Sequence, residues 1–248
     1  MNIVIPMAGE GQRFSSVGYQ CPKPLIEIEG ETMIQYAIRT LGIPGRYIFI
    51  VRKYENEEFN RKLHNALKMI SSESIVIEID YLTEGPACTC LLAEKYIDND
   101  DSLVIANCDQ IMDWDSKDFI SFSKSNNFDG VVVTYLSNTL KNSYIKVDEN
   151  GHGLELAEKK VISNHSLNGI HYWKKGSDFI KSSKEMIRKN LRTNNEFYIA
   201  PTYNEMISDN KKIGIYEILR KNHHPVGTPE DLNLYLEREK INENFKNG

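Results

Sequence analysis

The chain has 248 residues, 40% of them hydrophobic and 10% aromatic, enough to bury a sizeable core as one large α/β domain or two small ones. A formal net charge of −5 argues against a general nucleic-acid binder, whose surface would be basic. No run approaches the ~18 consecutive apolar residues of a membrane span, and four cysteines without CxxC spacing read as reduced, cytosolic thiols.

In chain order, MNIVIPMAGEG lacks the basic start and longer apolar stretch of a signal peptide, so a cytoplasmic protein is expected. Asn2 to Pro6 reads as a strand. Thr32 to Leu41 has helical spacing, with Met33, Ile34, Ala37, Ile38 and Leu41 on one side. Tyr47 to Val51 is the next strand, and Glu55 to Ile70 a helix striped by Phe59, Leu63, Ala66, Leu67 and Ile70. Ser74 to Tyr81 reads as strand, Ala87 to Tyr96 as helix and Leu103 to Ala106 as strand. Apolar strands alternating with amphipathic helices predict a parallel sheet covered on both faces. The pattern changes after about Asp129. Gly130 to Leu136 and Ser143 to Val147 are strand-like, Asp148-Glu149-Asn150-Gly151 signals a turn, and 154–158 continues as strand. Leu167 to Trp173 is a further strand, and Lys174 to Asn190 and Pro229 to Asn242 read as helices. The expectation is a Rossmann-like α/β fold: a mixed, mostly parallel central sheet flanked by helices. It forms one domain over 1–248, with about 1–128 binding one ligand and about 129–248 adding strands and a lid for another.

The loop after the first strand of an open parallel sheet lies at the carboxyl edge, where ligands bind. In IPMAGEGQRFSSVGYQCPKPLIEI, Gly9 and Gly11 let backbone N–H groups approach an anion. Arg13 and Lys23 supply positive charge, and Pro22 and Pro24 stiffen the backbone around Lys23. The set suits a triphosphate. Neither of two common phosphate loops is present: G-x-x-x-x-G-K-[ST] is absent, and the third glycine of G-x-G-x-x-G would fall at Phe14. Gly-x-Gly alone also fits a plain βα turn.

The longer string MAGEGQRF…PKPLIEIEGETMI resembles the signature of the sugar-phosphate nucleotidyltransferase family, which makes activated sugars and related headgroups on a glycosyltransferase-A-like fold. TEGPACT at 83–89, ANCDQ at 106–110, AEKK at 157–160, LNGIHYW at 167–173 and VGTPEDL at 226–232 follow the family's order, so the resemblance spans essentially the whole chain. It implies transfer of a nucleoside monophosphate from an NTP, with Mg²⁺, to a phosphorylated small-molecule acceptor. Met7, Ala8, Gly9, Glu10 and Gly11 would then hold the nucleotide, with Arg13 and Lys23 as catalytic cations. Asp109 becomes the main Mg²⁺ ligand, with Asn107 beside the nucleotide, although an aspartate there taken alone is an ordinary strand-end cap. Glu84, Gly85, Pro86 and Ala87 would read the base through main-chain groups. Asp80 and Glu84 are nearby acceptors, and a carboxylate accepts from the cytosine amino group where uracil and thymine present a carbonyl. That favours CTP, with a plain solvated glutamate as the other reading of Glu84.

In AEKK, the resemblance gives Lys159 the acceptor phosphate with Glu158 beside it; a solvated charge run is the alternative. Asn168 and Gly169 fall where the family lines its acceptor pocket. Glu196, Tyr198, Tyr203 and Asn204 form a polar-aromatic patch suited to the acceptor pocket or to a subunit contact, which leaves a homodimer open.

One departure stands out. The family often carries a second metal-binding aspartate just before the GT of its last motif, and here Pro225 or Val226 takes that place. Asp109 then works alone, or Asp231, Asp113 or Asp115 compensates, though Asp231 more naturally opens a helix. Adjacent His223 and His224 point apart on a strand, and Cys108 reads as core. The expected reaction transfers CMP from CTP to a small phosphorylated headgroup of a surface polysaccharide. The chain carries no β-helix after its last motif, as in short cytidylyltransferase-like relatives. A sugar-1-phosphate uridylyl- or thymidylyltransferase is the near alternative. From other classes come a glycosyltransferase, whose DxD motif Asp113-Trp114-Asp115 matches literally, and a silent regulatory subunit.

Overall fold

The computed structural model describes the backbone of residues 1–246 and the side chains of residues 1–241. β1 (Asn2–Met7) runs into the glycine-bearing loop, which contains a short helix, α1 (Gln12–Ser15), and a 3-10 turn at Lys23–Leu25. β2 (Glu27–Ile28) and β3 (Glu31–Thr32) form a small hairpin. α2 (Met33–Leu41) starts at a capping box in which Thr32 and Gln35 satisfy each other's backbone N–H groups, and it stops at Gly42 in the left-handed conformation. β4 (Arg46–Arg52) leads to α3 (Glu57–Ile70), capped by the Asn56 side chain, and then to β5 (Ile75–Ile79). α4 (Pro86–Leu91), α5 (Glu94–Ile97), β6 (Leu103–Ala106), β7 (Gln110–Met112) and α6 (Ser116–Ser125) complete the first half. The second half contains β8 (Gly130–Leu136), β9 (Ser143–Val147), β10 (Gly153–Glu158), β11 (His165–Trp173) and α7 (Gly176–Arg188). α8 (Thr202–Ser208), β12 (Ile213–Glu217), β13 (His223–Pro225) and α9 (Pro229–Lys246) follow.

Nine strands form the main sheet, in the order β10-β9-β11-β6-β1-β4-β5, with β8 pairing β11 and β12. β1 lies between β4 and β6, parallel to both, so the loops leaving β1 and β6 emerge side by side at one edge. β11 runs antiparallel to β6 and joins the second half to the first. The result is the expected mixed α/β sheet flanked by helices. Ile3, Ile5 and Met7 of β1 pack towards Leu63 and Leu67 of α3, while Val4 and Ala8 pack in the layer that holds Phe179 of α7. The alternation follows from the two-residue period of a strand.

The helix expected over Ala87–Tyr96 is instead two, because tight bonds from Leu92 N to Thr89 O and from Ala93 N to Cys90 O interrupt the helical ladder. α6, α8, β12 and the β7–β13 ribbon were not anticipated from the sequence pattern. Among the described residues no helix is long and apolar enough to cross a membrane.

Candidate active site

Gly11 closes the turn after β1 with φ 66°, and a side-chain carbon there would sit 3.3 Å from Lys23 Cβ. This packing brings Lys23 back across the loop, where its ammonium pairs with the Asp109 carboxylate. Both side chains are mostly buried, at 19% and 16% exposure. Burial alone would lower the Lys23 pKa, but the Asp109 charge and hydrogen bond outweigh it and leave the pKa raised. The group is therefore a fixed cation at neutral pH.

Asp109 is held from three further directions. Gln110 Nε2 approaches Oδ1 at 3.4 Å, and Val226 N–H donates to the Asp109 carbonyl at 2.9 Å. Gly227 packs so closely that an added Cβ would lie 2.5 Å from Oδ2. Pro225 stands opposite Gln110 in the β13–β7 ribbon, so no carboxylate joins Asp109 from that strand. Two of the other acids considered are engaged elsewhere: Asp231 bonds Thr228 at the start of α9, and Asp115 caps α6 by accepting from Lys117 N–H. The backbone carbonyl of Asp113 accepts from Asn222. Trp114 of the DxD match packs on Phe119, with ring centroids 5.2 Å apart. Among the described residues no three His, Cys, Asp or Glu side chains gather into a metal-binding group.

A slot of about 200 Å³ opens beside the end of β1, lined by Ala8, Gly9, Thr83, Gly85, Pro86 and Glu196 among others. The segment 190–197 straps its wall. Phe197 N–H donates to the Glu84 carbonyl at 2.8 Å, Ala87 N–H donates to the Phe197 carbonyl at 3.0 Å, and Gly85, at φ 134°, leaves no room for a Cβ against the Phe197 backbone. Arg192 stacks over the Phe197 ring at 4.0 Å and pairs with Glu84. The Glu84 carboxylate, 66% exposed, pairs with Arg192, in keeping with the solvated reading of that residue, and the Met7 side chain turns into the core at 4% exposure because β1 alternates faces, which leaves only its backbone at the loop.

Glu158, Lys159, Glu196 and Tyr198 come together on the second half. Lys159, at φ 53°, bonds the Tyr198 hydroxyl and lies 4.6 Å from its ring centroid. Burial pushes the Glu158 carboxyl upward; Ser143 and Lys159 oppose the shift and Glu196 adds to it. Burial and then Glu196 likewise raise the Tyr198 phenol, and the Arg13 charge acts on both Tyr198 and Lys23. The rest of the expected patch divides. Tyr203 is fully buried and stacks on Trp173, and Asn204 clasps the Leu156 backbone. Asn168 also differs from expectation. Its amide turns inward, accepting from Ile170 N–H at 3.0 Å and facing Met112 Sδ, where β11 departs from its register with β8. Gly169, at φ 92°, makes room for Asn107: a Cβ there would meet Asn107 Nδ2 at 2.2 Å.

The profile of the nucleotidyl transferase family matches residues 3–232. The chain belongs to this family. As a nucleotidyl transferase it is 26% identical over 252 residues to the bifunctional protein GlmU of Methanocaldococcus jannaschii, covering 99% of this chain and 56% of that one. The GlmU protein of Methanococcus aeolicus is 25% identical over 235 residues, with 94% and 53% covered. The chain thus spans about half the length of these curated relatives. Among solved structures, the nucleoside-diphosphate-sugar pyrophosphorylase of Vibrio cholerae RC9 has a TM-score of 0.82 at 24% identity, covering 95% of this chain and 99% of that one. The inositol-1-phosphate CTP transferase of T. maritima has a TM-score of 0.70 at 16% identity, covering 93% and 90%. The fold of this nucleotidyl transferase is the one its neighbours share.

A second cavity, a cleft of about 880 Å³, lies along the opening loop and is lined by Gly9, Glu10, Lys23, Arg52, Lys53 and Asp80 among others. Asp80 therefore faces this cleft and does not line the slot. Arg52, which lines the cleft, Arg192, which holds Glu84, and Gly227, which packs on Asp109, are not singled out by the sequence reading. Gly227 carried a signal, since it lies inside VGTPEDL; the two arginines carried none.

Proposed function

We propose that this nucleotidyl transferase moves a nucleoside monophosphate, CMP from CTP in the first instance, onto a small phosphorylated acceptor and releases pyrophosphate. The observation that carries the reading is the buried Lys23–Asp109 pair at the carboxyl edge of the sheet, with Arg13 in electrostatic reach of both Lys23 and the acceptor-side Tyr198. An acceptor phosphate oxygen attacks the α-phosphorus in line. The bond from that phosphorus to the α–β bridging oxygen breaks, and pyrophosphate leaves with the electron pair. No general base is needed, because a phosphate monoester is already anionic at neutral pH. Alignment and charge neutralisation do the catalysis. Lys23 steadies the charge on the α-phosphate, Arg13 and the N–H groups around Gly9 and Gly11 hold the leaving group, and Lys159 holds the acceptor phosphate. Glu196, on the wall of the slot, accepts from the cytosine amino group, a role for which Glu84 is already committed to Arg192.

Mg²⁺ is the metal the family implies. Mg²⁺ binds through one or two carboxylates completed by substrate phosphates and water, and Asp109 offers one such carboxylate with no protein cage around it among the described residues. The donor set fits, with Asp109 as the holding residue. An ion held there with the triphosphate would neutralise phosphate charge.

A sugar 1-phosphate acceptor is the second reading, favoured by the two carboxylates, Glu158 and Glu196, that can accept from hydroxyl groups. The test offers each NTP with Mg²⁺ and a panel of phosphorylated sugars, polyols, amines and amino acids, and follows pyrophosphate. Release with CTP and a non-sugar phosphate supports the first reading; release with UTP or dTTP and a sugar 1-phosphate supports the second. No pyrophosphate with any pair sinks both.

A further inference from the structure

The cleft along the opening loop has cations of its own. Gly9 borders both cavities. A nucleotide with its base in the slot therefore passes over Gly9 and directs its phosphates towards Lys23 and the cleft. Arg52 ends β4, the strand next to β1, and its side chain is 26% exposed. Its Nη1 is buried and has no hydrogen-bond partner. The nearest acid, Glu10, lies 3.9 Å away, beyond hydrogen-bond range, and already accepts from the Gln12 amide. A buried guanidinium N–H left unbonded is destabilising, so such a group calls for an acceptor that the protein does not supply. Lys53, the next residue, is exposed and makes no ion pair among the described residues. Arginine grips phosphate oxygens bidentately, and lysine adds a mobile point charge. The cleft also carries Asp80, Glu55 and Glu57; the two glutamates sit beside and within the first turn of α3, where acids complement the helix dipole, and Asp80 lies after the end of β5, the neighbouring strand.

We propose that Arg52 and Lys53 form a pyrophosphate subsite. They bind the β- and γ-phosphates of the incoming NTP and then the pyrophosphate that leaves, alongside Arg13. The subsite rests on the nucleotidyl-transfer reading above and assigns the leaving-group half of that site to the end of β4.

Calorimetric titration of the full chain with Mg²⁺ tests it. The probes are CTP and CMP, UTP and UMP, dTTP and dTMP, and inorganic pyrophosphate. They are titrated into the wild type, Arg52→Met and Arg52→Lys, each confirmed folded by a thermal melt. Loss of a hydrogen bond to a charged group weakens binding about tenfold to hundredfold. Arg52→Met is expected to lose that much for the triphosphate and for pyrophosphate while leaving the monophosphate unchanged, and Arg52→Lys to recover part of it. Triphosphate and pyrophosphate binding equal to wild type in Arg52→Met overturns the subsite. An equal loss for monophosphate and triphosphate overturns it too, because Arg52 then serves the loop through Glu10. A wild type that binds no nucleotide removes the transfer reading itself, and that result is distinct from a variant that binds as the wild type does.

Discussion

Lys23 and Asp109 are 86 residues apart in sequence, and the Asp109 carboxylate keeps the Lys23 ammonium charged in a mostly buried place. Removing the ammonium leaves the Asp109 carboxylate uncompensated and, on the proposed reading, removes the charge that faces the reacting phosphate. Lys23→Ala is expected to lower kcat by roughly two to three orders of magnitude, the usual effect of deleting one electrostatic donor, with the fold intact by circular dichroism. Turnover equal to wild type would take Lys23 out of the mechanism. Gly227→Ala tests the same carboxylate from behind. Its methyl would enter 2.5 Å from Asp109 Oδ2, so the carboxylate must turn. A fall in kcat of about tenfold or more follows if that orientation matters, since small misplacements in a site are costly, and steady-state pyrophosphate release measures it. Gly9, Gly11, Lys23 and Asp109 are singled out by the sequence because each lies in a short string that the family resemblance covers. The approach of Gly227 to Asp109, the grip of Arg192 on Glu84 and the entry of Glu196 into the slot are decided by how distant segments meet. No local pattern encodes those contacts, and so the pairing of the exposed Glu84 carboxylate with Arg192 is not readable from its own segment.

Among the elements, the strap formed by 190–197 depends on Arg192. The residue stacks on Phe197, donates to Asn190 Oδ1 at 2.7 Å and to the Asn195 carbonyl at 3.0 Å, and pairs with Glu84. Arg192→Met keeps the length of the side chain and removes the anchor. The expected result is a KM for NTP raised several-fold with kcat little changed, together with faster proteolysis inside 190–197; exposed cation–π and ion-pair contacts are worth about 0.5–1 kcal/mol each. A strap that resists protease equally in both proteins would show that Arg192 does not hold it. The long strands were readable because they are continuous apolar runs in the core. β12 was not: it is five residues long, follows two lysines, and holds Gly214 against the ring of Phe128, where a Cβ would sit 2.6 Å away. α8, with seven residues, is too short for a helical stripe to emerge.

Across the whole molecule, two histidines are sealed in as neutral groups. Burial lowers His171, which packs beside the stacked Trp173 and Tyr203 rings, to about 3; burial with Arg220 and His224 lowers His223 to about 3 as well. The unfolded chain takes up these protons near pH 6.5, whereas the folded one refuses them until about pH 3. Between those limits the unfolded state binds more protons, so stability is full above the upper limit and falls as the pH drops through the window. Each histidine contributes a slope of up to about 1.4 kcal/mol per pH unit. Melting temperatures from pH 7 to pH 4 are expected to fall, and His171→Phe is expected to fall less steeply than wild type. Identical slopes would show that His171 carries none of the effect.

Gly9 is shared by the slot and the cleft, and among the described residues no other lines both. The aromatic and the anionic ends of a ligand would therefore meet separate walls joined at a hinge with no side chain. Swapping the wall around Thr83 and Glu196 should retune which letter is accepted while leaving the machinery at Lys23 and Arg52 alone, which makes the protein a scaffold whose two preferences can be engineered one at a time.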